Sequence, residues 1–134
     1  EFTISETFHA SAKEIYKAWL TTKGHTAMTG SPAKVDATIK GSFTAWGGYI
    51  WGIFLEFEEN KRNVQAWRTG EFPEEAEDSR VEVLLEEVAS TGERRLATTK
   101  VTLIHTNIPE GQAQNYMQGW EDFYFKPMKE YFGG

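Results

Sequence analysis

The 134-residue chain carries 20 acidic against 14 basic side chains, a net charge of −6 that argues against a nucleic-acid partner. A hydrophobic share of 40%, with 14% aromatic, argues against disorder, and a single domain of this size buries about two-thirds of its unfolded surface. The absence of cysteine excludes disulfides, thiol chemistry and cysteine metal sites.

Phe2, Ile4 and Phe8 alternate with polar residues, which predicts a first strand over Phe2 to His9. Ser11 stands three residues before Glu14, a capping-box spacing that starts a helix with Ile15, Ala18 and Trp19 on its apolar side. Gly24 is expected to end it, and Lys23 to Gly30 has room for one more short helical turn. Ser31-Pro32 is a break. Val35, Ala37 and Ile39 then alternate, Lys40-Gly41 reads as a turn, and Phe43 and Ala45 resume the pattern. Gly47-Gly48 is a hairpin signal, and Ile50 to Phe57 is a strand apolar on both rows. Glu58 to Lys61 is a polar turn, followed by a strand over Val64 to Arg68. Glu71 to Asp78 is an acidic loop, open to two readings: a surface for a basic partner or a solvated hairpin loop. Val81, Val83 and Leu85 alternate against Glu82 and Glu86. Ser90 to Glu93 is a turn, and Leu96 to His105 is the last strand, with Val101, Leu103 and His105 on one face.

The C-terminal stretch, Gly111 to Phe132, has helical spacing. Ala113, Tyr116, Met117, Trp120, Phe123, Tyr124, Met128 and Tyr131 share an arc about 140° wide. Pro109 suits a first helical position, Lys126 and Lys129 suit the negative end of the dipole, and Gly133-Gly134 is a stop. Pro127 predicts a kink near Lys126 or a short second helical piece.

This order predicts one α+β domain over residues 1–134, without linker or repeat. A curved antiparallel sheet of six to seven strands is expected, with two short N-terminal helices and a long C-terminal helix packed across it. No apolar run spans a bilayer and no signal-peptide pattern is present, so no membrane role is expected, and the absence of cysteine fits a reducing, cytoplasmic setting. The chain lacks an initiating methionine and opens almost directly on a strand, which fits a piece of a longer protein.

With the order and the residues in hand, the chain resembles the START-like (SRPBCC) superfamily of helix-grip folds. Within it, the sequence is similar to the family of activators of the heat shock protein 90 ATPase. The resemblance rests on Glu6-Thr7-Phe8, Gly41-Ser42-Phe43, Gly52 with Phe54, and Trp67-Arg68 with Phe72-Pro73. It continues in Ile108-Pro109, Gly119-Trp120 and Phe123-Tyr124-Phe125. It implies a stress-response co-chaperone domain that binds heat shock protein 90 and modulates its ATPase. In the eukaryotic activator this domain type is the C-terminal half, understood to contact the chaperone's N-terminal domains. The half that carries most of the activating contact has no counterpart in this sequence. Pro127 departs from the uninterrupted helix usual in the family.

A second reading is a binding module for a small hydrophobic ligand. Phe43, Trp46, Trp67, Tyr116, Trp120 and Tyr124 invite a cavity between sheet and helix, against the alternative of plain core. His105 is open to the same choice: a polar group in the pocket or a hydrogen-bonded core histidine. A third reading is an enzyme of the cyclase kind found elsewhere in the superfamily, but no enzyme motif supports it. Gly47-Gly48 and Gly52 have the wrong spacing for a phosphate-binding loop, and no Gly-x-Ser-x-Gly elbow occurs. His9, His25 and His105 show no paired spacing, so no metal site and no cofactor are expected. In the family, the row of Trp51, Ile53 and Leu55 is usually polar, whereas here it is apolar and expected to face solvent. This row is a candidate partner surface, for the chaperone or for a second copy in a homodimer.

Overall fold

The computed structural model describes residues 1–88 and 97–133. β1 (Phe2–Phe8) leads into α1 (Ala12–Trp19) and α2 (Thr22–Thr29). Next come β2 (Lys34–Val35), β3 (Ser42–Ala45), a 3-10 turn (Trp46–Gly48), β4 (Ile50–Glu58) and β5 (Arg62–Thr69). β6 (Ser79–Val88) and β7 (Thr98–Thr106) complete one antiparallel sheet in the order β1-β7-β6-β5-β4-β3-β2. The chain closes with α3 (Ala113–Trp120), a π-helical stretch (Glu121–Phe125) and α4 (Lys126–Phe132), which run on as one long helix. The result is the expected α+β arrangement of a seven-stranded antiparallel sheet, two short helices and a long C-terminal helix. No helix among the described residues is long and apolar enough to cross a membrane.

The inner face of the sheet follows from the two-residue period. Phe8, Phe54, Val81, Val83, Val101 and Leu103 are sealed on it. The capping box forms as the spacing predicts: the Ser11 hydroxyl accepts from the Glu14 N–H, and the Glu14 carboxylate accepts from the Ser11 N–H. Ile15, Ala18 and Trp19 face the core.

Several local expectations are corrected. Gly24 does not end α1. That helix stops at Trp19, and Gly24 lies inside α2, where the Thr21 cap accepts its N–H. A Cβ on Gly24 would sit 2.6 Å from the Cα of Ala18, so the glycine is needed for the two helices to meet. The alternation over Val35, Ala37 and Ile39 makes only a two-residue strand. Asp36–Gly41 instead forms a loop closed by Thr38 N–H to Asp36 O and Gly41 N–H to Thr38 O, which leaves Ile39 exposed. Pro109 lies before the long helix, not at its first position. Gly111, at φ +83°, turns the chain into α3, which starts at Ala113. The expected turn at Ser90 to Glu93, Leu96 at the start of the last predicted strand, and Gly134 lie outside the described residues.

The C-terminal helix differs in phase. In the π-helical stretch the ladder slips by one residue, so Lys126 N–H bonds to Glu121 O, five residues back. The slip sits directly before Pro127, which has no N–H to donate and would crowd the Phe123 carbonyl in an α-helix. One added residue turns everything beyond it by roughly a quarter-turn. Phe125, outside the predicted apolar arc, is therefore buried, while Phe123 and Tyr131, inside it, are each 53% exposed; Met128 is buried as the arc predicts. Gly133 (φ +92°) ends the helix, and its carbonyl accepts from His9 N–H.

In β4 the register shifts between Phe54 and Glu56, with Leu55 as the extra residue. Beyond this bulge the rows exchange faces. Phe57, expected alongside Trp51, instead packs on Phe54 at a ring separation of 5.2 Å. Trp51 and Leu55 remain exposed on the outer face, and Ile53 is half-buried.

Candidate functional site

Trp67, on the inner row of β5, is the hub of the site. Gly52 lies opposite it on β4, and a Cβ there would come 1.9 Å from the Ala66 carbonyl, so the strands approach only because Gly52 has no side chain. Trp67 meets His105 at 4.7 Å, Tyr116 at 5.2 Å and Trp120 at 5.5 Å between ring centroids. Trp120 then meets Tyr124 at 4.6 Å, and Trp19 stacks on Tyr124 at 5.2 Å.

Between this cluster and the 3-10 turn lies a cavity of about 360 Å³. Its walls are Trp67, Tyr116, Trp120 and Tyr124 from the core, and Trp46, Tyr49, Ile50 and Phe123 nearer the turn. Glu71, Asn115 and Gly119 complete it. Five of the seven sequence-predicted ligand residues therefore share one cavity. Phe43 does not: it packs on Phe54 at 5.1 Å within the core. His105 does not either, because it is sealed between β6, β7 and Trp120. Its Nδ1 accepts from Trp120 Nε1–H at 3.1 Å, so Nε2 carries the proton and donates to Ser79 Oγ at 2.8 Å. Ser79 in turn donates to the Trp67 carbonyl at 2.7 Å. Burial pushes the His105 pKa down to about 3, which keeps the ring neutral.

A second buried histidine holds the helices together. His25 Nδ1–H donates to the Trp19 carbonyl at 2.9 Å, and its Nε2 accepts from the Tyr124 hydroxyl at 2.7 Å. Burial lowers its pKa to about 4, although the bond to Trp19 works the other way. Burial also raises the Tyr124 phenol, so it stays a donor at neutral pH.

The polar groups of Tyr49, Glu71 and Tyr116, all on the cavity lining, join with Gln112 and Thr69 in one chain. Tyr49 OH donates to Glu71 Oε2 at 2.6 Å, and Gln112 Nε2–H donates to the Glu71 carbonyl at 3.0 Å. Tyr116 OH donates to Gln112 Oε1 at 2.6 Å and accepts from Thr69 Oγ1 at 2.8 Å. Burial and the Glu71 bond push the Tyr49 pKa up to about 12. Only Trp46 stands apart: its Nε1–H is shut from solvent and has no partner among the described residues. Trp46 also occupies the left-handed region, at φ +52°. Sequence reasoning missed Tyr49, Glu71 and Phe123. The hairpin signal at Gly47-Gly48 marked the turn that delivers Trp46 and Tyr49, but not the direction of their side chains. Among the described residues no cluster of His, Asp or Glu is arranged to hold a metal ion. The acidic loop is folded around Arg68, which donates to the Ala76 and Pro73 carbonyls and to Asp78 Oδ1.

A family model described as Activator of Hsp90 ATPase homolog 1-like protein matches residues 9–133. The Homo sapiens Activator of 90 kDa heat shock protein ATPase homolog 1 is 29% identical over 133 residues, covering 99% of this chain and 37% of that protein. The chain spans little more than a third of the length of the curated relatives it matches, 35–37%. Among solved structures, an HSP90 activator from Plasmodium falciparum superposes with a TM-score of 0.80 at 24% identity, covering 98% of this chain and 95% of that one. The Aha1 dimer from Colwellia psychrerythraea gives a TM-score of 0.69 at 18% identity, covering 99% and 98%.

Proposed function

From the premise that the chain belongs to the Activator of Hsp90 ATPase homolog 1-like family, we propose that it is a domain that binds heat shock protein 90 and modulates its ATPase. The observation that carries this is the alignment with a named activator across 99% of this chain. That relative is almost three times as long, so the domain acts as one part of a larger contact and stimulates the ATPase weakly alone. Its contact surface is the outer row of Trp51, Ile53 and Leu55, since an apolar row left open on a sheet invites a partner. A second copy of the chain is the competing occupant of this row, as a structural neighbour is a dimer. Recovery of the chaperone on the immobilised domain, from extract of its own cells, supports the reading; recovery of the domain alone opposes it.

A second reading has its own support. The cavity of about 360 Å³, walled mostly by aromatic rings, favours a small, mostly apolar ligand. The human and mouse relatives are named as ATPase activators, not as enzymes, and the buried histidines here are committed to hydrogen bonds within the core.

A further inference from the structure

The two N-terminal helices carry a charge opposite to that of the rest of the molecule. Residues 9–34 hold four lysines and one glutamate, +3 in a chain of −6, so the remaining residues sum to −9. Glu14, the one acid in that stretch, is engaged in the capping box, where its carboxylate accepts from the Ser11 N–H and hydroxyl. Among the described residues every ion pair uses Arg62, Arg68, Arg80 or Lys129, which leaves Lys17 and Lys23 unpaired. Helix stability does not account for Lys23: a lysine in the first turn of α2 opposes the helix dipole, and no acidic residue offsets it there.

Lys17 from α1 and Lys23 from α2 line one groove of about 660 Å³ that the end of α4 completes. The two short helices give it small residues, Ala18, Gly24 and Ala27, and they approach closely because Gly24 has no Cβ. From α4 come Tyr131 and Phe132. Tyr131 is 53% exposed, a consequence of the slip before Pro127, yet its ring is held in place. It meets Phe132 edge-on at 4.9 Å, and Phe132 meets Phe8, sealed in the core, at 6.4 Å. The bond from His9 N–H to the Gly133 carbonyl fixes the end of α4 beside the groove. The Thr21 hydroxyl, also on the lining, already donates to the Lys17 carbonyl and accepts from the Gly24 N–H. Of the charged side chains on the lining, Lys17 and Lys23 are the two without a bond. Two unpaired cations beside exposed apolar surface, on a molecule acidic elsewhere, are complementary to a negatively charged segment. A concave site suits a strand of chain better than a flat lipid surface.

We propose that this groove docks a short extended acidic segment of a partner protein, at a site separate from the outer row of β4. One aliphatic side chain lies over Ala18, Gly24 and Ala27 against the Tyr131 ring, and carboxylates on either side of it meet Lys17 and Lys23.

The test uses three acetylated peptides of about seven residues, enough to span roughly 23 Å when extended. One has glutamates around a central leucine, one has glutamates around a central serine, and one has lysines around a central leucine. Each is titrated into ¹⁵N-labelled protein at about 50 mM salt. The glutamate–leucine peptide is expected to bind tightest, to shift the amide signals of Gly24, Ala27 and Tyr131, and to leave those of Trp51 and Ile53 in place. Serine for leucine weakens binding about tenfold, the share that one well-buried aliphatic side chain supplies, and the lysine peptide does not bind. Lys17→Glu with Lys23→Glu removes binding of both acidic peptides, and wild-type affinity falls several-fold between about 50 and about 300 mM salt. Tyr131→Ala brings the leucine peptide level with the serine peptide. Should the charge reversal not fold, Lys17→Gln with Lys23→Gln reads the same loss. Acidic-peptide binding that survives the lysine changes, or a lysine peptide bound equally well, overturns the proposal. Failure of both acidic peptides overturns it too, and phosphatidylserine vesicles bound by the wild type but not by the lysine variants then reassign the face to a membrane surface.

Discussion

The hydroxyl of Tyr124 donates to Nε2 of His25 across 2.7 Å, a buried bond between residues 99 apart in sequence. It latches the C-terminal helix onto α2, behind the wall of the cavity. Replacing Tyr124 with Phe keeps the ring packed against Trp19 and Trp120 but strands a buried acceptor. The expected cost is about 1–3 kcal/mol, read as a lower urea midpoint with an unchanged slope. An unaltered midpoint would mean that water substitutes for the hydroxyl.

The helical slip is tested by a pair of truncations. Phe125 is 1% exposed and Phe123 is 53% exposed, the reverse of what an uninterrupted α-helix gives. Phe125→Ala should cost about 3–5 kcal/mol, as should Trp120→Ala, whereas Phe123→Ala should cost under about 1 kcal/mol. Equal costs at the two phenylalanines in thermal melts would place the phase of the helix elsewhere.

Acid should weaken the fold through its buried histidines. His25 and His105 have pKa values lowered to about 4 and about 3, against an ordinary value near 6.5 in the unfolded chain. Below that ordinary value the unfolded state binds protons that the folded state refuses. Stability is therefore whole above pH 6.5 and falls as the pH drops toward the folded values. At pH 5 the loss is roughly 2 kcal/mol per histidine. Denaturation at pH 7.5 and pH 5 measures it, with NMR showing both rings still neutral at pH 5. Protonation of either ring in the folded protein near pH 6.5 would contradict the burial argument.

What was legible in the sequence was local or strictly periodic. The capping box at Ser11 and Glu14 needs only neighbours, and the alternation of Val81, Val83 and Leu85 needs only one covered face. Two rows misled because one inserted residue reverses or rotates everything beyond it. The Leu55 bulge carried Phe57 to the inner face, and the slip before Pro127 exchanged Phe123 for Phe125. Pro127 signalled a disturbance, but a kink and a slip satisfy its missing N–H equally well. The cavity was half legible. Period two places Phe43, Trp67 and His105 on the inner face, but only the lie of the helix decides that Trp67 lines the cavity. Phe43 meets Phe54 instead, and His105 meets Ser79 and Trp120. Tyr49 and Glu71 flank the ends of strands, where spacing carries no direction.

The outer row offers a salt-dependent variant of the same question. Arg62 bridges Glu56, Glu58 and Glu82 beside it, and the chain carries a net charge of −6. If charge steers the chaperone to this face, association should slow as salt rises from 50 to about 300 mM, while the dissociation rate stays nearly constant. Stopped-flow mixing separates the two rates, and a salt-independent association rate would assign the encounter to the apolar row alone.

Calorimetric titration of the domain into heat shock protein 90, with the wild type beside the double variant Trp51→Ser, Ile53→Glu, decides whether the outer row is a chaperone contact. The wild type is expected to bind at micromolar affinity and to be displaced by a full-length activator, with at least a tenfold loss in a double variant that melts where the wild type does. Absence of heat and of competition from the wild-type domain would contradict the contact.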